Sequence, residues 1–385
     1  MFDQLARVPG QRGENPTKSP GSWNNLGVVP NVTQRPPAPS SAPKFLVAVA
    51  AVLSALLLAG CGVRLETDVP KPLVPSANEL MRQGMVNDLV LIAQDADAAG
   101  KSVAADSPTS TELSAVADQA SAYQDLLGGV YVSGLPQEEA EQDEVAASPA
   151  PATPENVLTR LTDSIARVRS TLPLMEDPEL ARLFASISIS NTLSARDLAA
   201  ALAQDATDNA DAPMVTLEPA AESIPDTVFA GIDPALVTAL IVSEDGAGYS
   251  YEVLAAMRQP DRRAIALTNA TFHRTTAQTW AAVTQVADTA EDPRRVAYDL
   301  PLSMSVEAYV APDSELVEMA QTVEVGLATR YLDLVALAAP ENRAFFFDAA
   351  IHSALIGEAW GVPRTELPFF TGATEFRAAH EATQE

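Results

Sequence analysis

The chain has 385 residues, 47% of them hydrophobic and 19% charged, and its 51 acidic against 24 basic side chains give a formal net charge of -27. The apolar share is enough for packed cores, and at about 100 to 200 residues per domain the length suits two domains with extensions. The negative field repels phosphate backbones, which excludes nucleic acid as a partner. The single cysteine excludes an intrachain disulfide, and the three histidines, His273, His352 and His380, restrict catalytic schemes. Aromatic residues are only 5% while Ala and Leu abound, which predicts an all-α fold with helices packed through small side chains.

Residues 1–43 are rich in Pro, Gly, Asn and Ser without periodicity and read as a disordered arm. Phe45 to Gly60 then runs without a charge; it is short of the roughly 20 residues a crossing helix needs and suits the core of a signal peptide. The run closes on Leu58-Ala59-Gly60-Cys61, which resembles the bacterial lipobox, with the only cysteine at the position that motif modifies. The resemblance implies diacylglycerol on the Cys61 sulfur and cleavage before Cys61. It also implies a chain held by acyl groups such as palmitate at the extracytoplasmic face of the cell membrane. At about 0.8 kcal/mol per buried methylene, two or more acyl chains anchor a protein stably where one does not. On this reading 1–60 is arm plus lipoprotein signal peptide, and 61–75, with Pro70, Pro72 and Pro75, is a short stiff tether.

A first helical domain is expected over 76–205. Ser76 and Glu79 have capping-box spacing, and Met81, Met85, Leu89, Ile92 and Ala96 place a helix near 77–98. Leu113, Val116, Ala120, Tyr123 and Leu127 mark a second from about Thr111, stopped by Gly128-Gly129. Thr153-Pro154 opens a third, and Asp177-Pro178 a fourth that runs to about Ala203, with a break expected near Asn191. The acidic, then Pro/Ala-rich stretch 136–154 cannot bury apolar area and reads as a loop. This domain has no His and no Cys, so it offers no catalytic constellation. Residues 206–230 read as a linker, 231–370 as the second domain and 371–385 as a tail in which His380 is exposed.

The second domain repeats itself at an offset of 80. Residues 233–264 against 313–344 give eleven identities in 32 pairs, among them Glu244/Glu324, Gly246/Gly326, Tyr251/Tyr331, Pro260/Pro340 and Arg263/Arg343. A one-residue slip then aligns Ala270 with Ala349 and His273 with His352. Each unit is a helix, a Pro-containing turn and a second helix, so the domain is two repeated helical hairpins forming a four-helix bundle. Helical spacing turns Glu244 inward with Tyr251, Glu324 inward with Tyr331, and both imidazoles to the core.

These features, with EDGAGYSYEVLAA, the His273-Arg274 pair, DLP at 299–301 and LATRYLDLVA, resemble a ferritin-like domain family of unknown function found in lipoproteins of high-GC Gram-positive bacteria. The resemblance implies a ferritin-like four-helix bundle. The wider ferritin-like group carries Glu-x-x-His on its second and fourth helices, where this chain has Ala270 and Ala349, so the bridging carboxylates of a di-iron site are missing. Two readings of the polar residues stay open. Glu244, His273, Glu324 and His352 could ligate one divalent ion (Fe, Mn or Zn), with Tyr251 and Tyr331 beside it. Alternatively each Glu binds its own hairpin's His as a buried structural pair, with no cofactor required. No Ser-His-Asp order, Walker loop or dinucleotide turn stands out, so acyl, phosphoryl and hydride transfer lack support. The expectation is a lipid-anchored envelope module with a membrane contact and an envelope protein partner, more a binding or scaffolding protein than an enzyme.

Overall fold

The computed structural model describes residues 75–130, 151–205, 224–257, 260–300 and 313–363, all within one compact unit, Pro70–Glu385. The arm, the 45–60 run, Cys61, the tether to residue 74 and the tail lie outside the described residues. Among the described residues the regular secondary structure is eight α-helices and two short 3-10 turns, with no strand. The helices are α1 (Ala77–Gly100), α2 (Pro108–Leu126), α3 (Pro154–Thr171), α4 (Pro178–Asp205), α5 (Pro234–Met257), α6 (Pro260–Val283), α7 (Asp313–Leu337) and α8 (Arg343–Ala359). Among the described residues no helix is long and apolar enough to cross a membrane.

One device starts four of these eight helices: a short polar side chain followed by proline. The Ser107 and Thr153 hydroxyls accept from the backbone N–H of Ser110 (3.1 Å) and Asn156 (3.3 Å), and Asp177 Oδ1 accepts from Leu180 N–H at 3.1 Å. Asp233 Oδ1 does the same for Ala235 at 2.8 Å. Each cap satisfies an amide the helix itself cannot, and the proline that follows has no amide to waste. Ser107-Pro108 starts α2 three residues before Thr111. The helix ends where expected, with Gly128 and Gly129 at φ of +83° and +68°, the left-handed region a side chain resists. Arg82 of α1 donates to the Leu127 and Gly129 carbonyls, tying that exposed turn to its neighbour.

Consecutive helices pair as α1 with α2, α3 with α4, α5 with α6 and α7 with α8, and α4 reaches across to α7 and α8. It runs unbroken through Asn191. Small residues explain this: Ser186, Ser188, Ser190, Thr192 and Ser194 let neighbouring backbones approach, and Thr192 returns its hydroxyl to the Ser188 carbonyl at 2.8 Å. One cluster of buried apolar residues runs from Leu89 and Leu113 through Leu161 and Ile189 to Tyr331 and Phe347, so both halves share a core. Val228 and Ile232, in or beside the stretch composition marks as a linker, are part of it.

Candidate functional site

The centre of the α5–α8 group is polar. Glu244 and Tyr251 lie on one face of α5, His273 and Trp280 on one face of α6, and Glu324 and Tyr331 on one face of α7, each pair seven residues apart. The His273 ring sits between the two carboxylates, with Nδ1 2.7 Å from Glu244 Oε2 and Nε2 3.0 Å from Glu324 Oε1. All three side chains are fully buried. The tyrosines cross over. Tyr251 donates to Glu324 Oε1 at 2.7 Å and Tyr331 donates to Glu244 Oε1, so each half of the group supplies the hydroxyl for the other half's carboxylate. Trp280 Nε1 donates to the Tyr331 hydroxyl at 3.0 Å.

Charge follows from this geometry. A neutral imidazole donates once, but both ring nitrogens here face carboxylate oxygens, which demands a second proton on the ring or on one acid. Burial opposes charge on His273, but the two carboxylates, Glu324 foremost, outweigh it and raise the imidazolium to about 10. Glu324 is itself raised above the ordinary carboxylate range by complete burial, against the pull of His273. Desolvation, then the facing carboxylates, push both tyrosine hydroxyls well above their usual range.

His352 does not join this network. Its ring is partly exposed and stacked on Phe272, 3.8 Å between centroids, and desolvation with the His273 charge lowers it to about 4. The expected Glu324–His352 pair is therefore not formed, and Glu324 is bound from the other half instead. Helix register is the reason. Ala266, Ala270, His273, Ala277 and Trp280 are buried on α6, and the residues 80 further on, Phe346, Ala350, Ser353 and Gly357 of α8 and Trp360 at its C-cap, are all buried. The residues 79 further on include half-buried Phe345, Ala349 and His352 and exposed Ala359. One residue is about 100° of helix rotation. The one-residue slip that pairs His273 with His352 turns that imidazole off the inner face, and Ser353 stands where the His273 pattern would place it. The recurrence of Trp280 and Trp360 at 80 was the sequence signal for the register and for two further core residues.

A second polar cluster, absent from the sequence reading, covers the outer side of α5. Arg274 bonds Asp245 Oδ1 at 2.6 Å and forks onto Glu252 at 3.0 and 2.9 Å. Asp245 Oδ2 accepts from the Tyr298 hydroxyl (2.7 Å) and the Arg295 N–H (3.1 Å), which straps the segment after α6 onto the helix. Gly248 makes room for it, since a Cβ there would come within 2.7 Å of Arg274 Cγ.

As a metal centre the inner cluster fits poorly. The donor types suit a divalent ion, but both nitrogens of His273 are turned to carboxylates and His352 is packed on a phenyl ring. Among the described residues no group of three or more His, Cys, Asp or Glu is arranged to hold one. These observations define the class: an all-α protein whose second half closes around a buried acid–imidazole–acid core. Residues 235–374 match the family described as a domain of unknown function (DUF4439). No curated protein and no solved structure matches the chain.

Proposed function

We propose that this is a lipid-anchored cell-envelope protein, attached through Cys61 at the extracytoplasmic face, in which α5–α8 form a degenerate ferritin-like bundle of two repeated hairpins. It serves as a binding or scaffolding module for an envelope protein partner. The observation that carries this reading is the reciprocal exchange of Tyr251 to Glu324 and Tyr331 to Glu244, residues paired at an offset of 80. A duplicated hairpin packed about a pseudo-twofold axis produces such an exchange. The polar core is spent on internal bonds, with both Glu244 oxygens and both His273 nitrogens engaged, which suits a module that holds shape. Palmitate labelling of the full chain tests the anchor: label and membrane fractionation are expected in the wild type and lost in Cys61→Ala. Label that persists in Cys61→Ala would remove the anchor from the proposal.

One observation favours a second reading, a single-ion site for Fe, Mn or Zn on Glu244, His273 and Glu324, without His352. Glu324 Oε2 is buried with no hydrogen-bond partner among the described residues, a free donor atom of the kind an ion takes up. Metal stoichiometry of purified wild type against Glu244→Ala/His273→Ala separates the readings. The scaffold reading expects equal contents, and a stoichiometric metal lost in the double variant would replace it.

A further inference from the structure

Among the buried polar atoms of the described residues that lack hydrogen-bond partners, three lie on the inner face of the α7–α8 side: Glu324 Oε2, Ser353 Oγ and Trp360 Nε1. Their side chains are at most 2% exposed. They belong together. Ser353 and Gly357 of α8 and Trp360, its C-cap, lie at i, i+4 and i+7 on one face, and a Cβ at Gly357 would come within 3.2 Å of Glu324 Cβ, so this face is the one against Glu324. Tyr251 joins the set from α5, bonded to Glu324 and with its ring 5.8 Å from that of Trp360.

The α5–α6 side carries the same groups, all satisfied. Trp280 Nε1 is bonded to Tyr331, Glu244 Oε2 to His273, and the residue corresponding to Ser353 is His273 itself. Where the α5–α6 side carries the His273 ring, which serves Glu244 Oε2, the α7–α8 side carries Ser353 and leaves the matching Glu324 Oε2 unpartnered, with Trp360 Nε1 unpartnered on the same face. An unsatisfied buried polar group costs about 1 to 3 kcal/mol, so three on one face point to something that binds them.

We propose that the face formed by Glu324, Ser353 and Trp360 binds a small planar hydrogen-bonding molecule of the azole or amidine class, no larger than imidazole. Its N–H groups meet Glu324 Oε2, and a lone pair or hydroxyl contact meets the Trp360 indole or Ser353. The carboxylate selects against anions. Binding here is independent of the membrane anchor, and it competes with any ion that takes up Glu324 Oε2.

The chain has only three tryptophans, so the indole N–H resonance of Trp360 can be assigned by its loss in Trp360→Phe. Titrating the ¹⁵N-labelled full chain with imidazole is expected to move the Trp360 resonance saturably while that of Trp280 stays in place; acetate, as control, moves neither. Ser353→His supplies the ring covalently and is expected to abolish the titration and raise the melting temperature. A linear, unsaturable shift, or equal shifts at both indoles, would overturn the proposal. So would a Ser353→His variant that folds with a lowered melting temperature, since the face would then have no room for the ring. Glu324→Gln guards against a folding failure of that variant: it keeps the side chain's shape and is expected to weaken the shift, and an unchanged titration rejects the Glu324 contact.

Discussion

At the scale of single residues the inner network is a set of mutual obligations. Glu244 holds His273 and Tyr331, and His273 holds both acids, so removing any one leaves a partner buried without compensation. Glu244→Ala and His273→Ala are each expected to cost about 3 to 5 kcal/mol in urea unfolding, the usual penalty for breaking one side of a buried ion pair. Because they share one network, the double variant should cost less than the sum. Tyr251→Phe takes one hydrogen bond from Glu324 and should cost about 1 to 3 kcal/mol. His352→Ala breaks no hydrogen bond among the described residues; its cost should be the smaller one of a lost aromatic stack, about 0.5 to 1.5 kcal/mol beyond area. Equal losses for His273→Ala and His352→Ala would contradict the asymmetry of the two imidazoles. Sequence spacing was sufficient to turn Glu244, Tyr251, His273, Glu324 and Tyr331 inward. Local matching around His352 did not choose between alignments differing by one residue, because Ala270 matches Ala349 and Ala350 equally well; only the Trp280/Trp360 spacing of 80 favoured the register that packing shows.

At the scale of elements, starts and stops were legible because they are chemical. A capping hydroxyl or carboxylate before proline and a paired glycine after Leu127 act within a few residues of chain. What could not be read was contact between distant segments. The break expected at Asn191 does not occur because α4 is buried on nearly every side and its neighbours outweigh weak local propensity. The strap over α5 depends on Asp245, Arg274 and Tyr298, residues with no common spacing. Gly248→Ala tests that strap. A helical alanine would normally gain about 1 kcal/mol over glycine. Here its Cβ collides with Arg274, so a net loss of about 1 to 3 kcal/mol is expected, with faster proteolysis between residues 284 and 300. A stabilised Gly248→Ala would show the clamp to be dispensable.

At the scale of the whole molecule the histidines give stability opposite dependences on pH. His273 binds its proton more tightly folded, at about 10, than unfolded, near 6.5. Its contribution is complete below about 6.5 and is lost as pH rises through about 10. His352 is lowered to about 4, so between about 4 and 6.5 only the unfolded chain takes up that proton, and the folded state loses ground as pH falls. Denaturation across pH should therefore show the advantage of wild type over His273→Gln shrinking on the alkaline side. The disadvantage from His352, relative to His352→Gln, should grow on the acid side. A pH-independent difference for either variant would reject the corresponding assignment.

The described ion pairs that join the α1–α4 and α5–α8 groups all run one way: Arg169 to Asp348, Arg182 to Asp333 and Arg196 to Glu358, with every guanidinium on the first group. Arg343 adds a return grip, donating to the Met175 carbonyl at 2.6 Å. The segment that matches the family, 235–374, is thus shorter than the compact unit it packs within, Pro70–Glu385. Excised at those borders, it would lose the arginines that face Asp333, Asp348 and Glu358 and would bare the hydrocarbon beside them, which water tolerates far less well than the freed carboxylates.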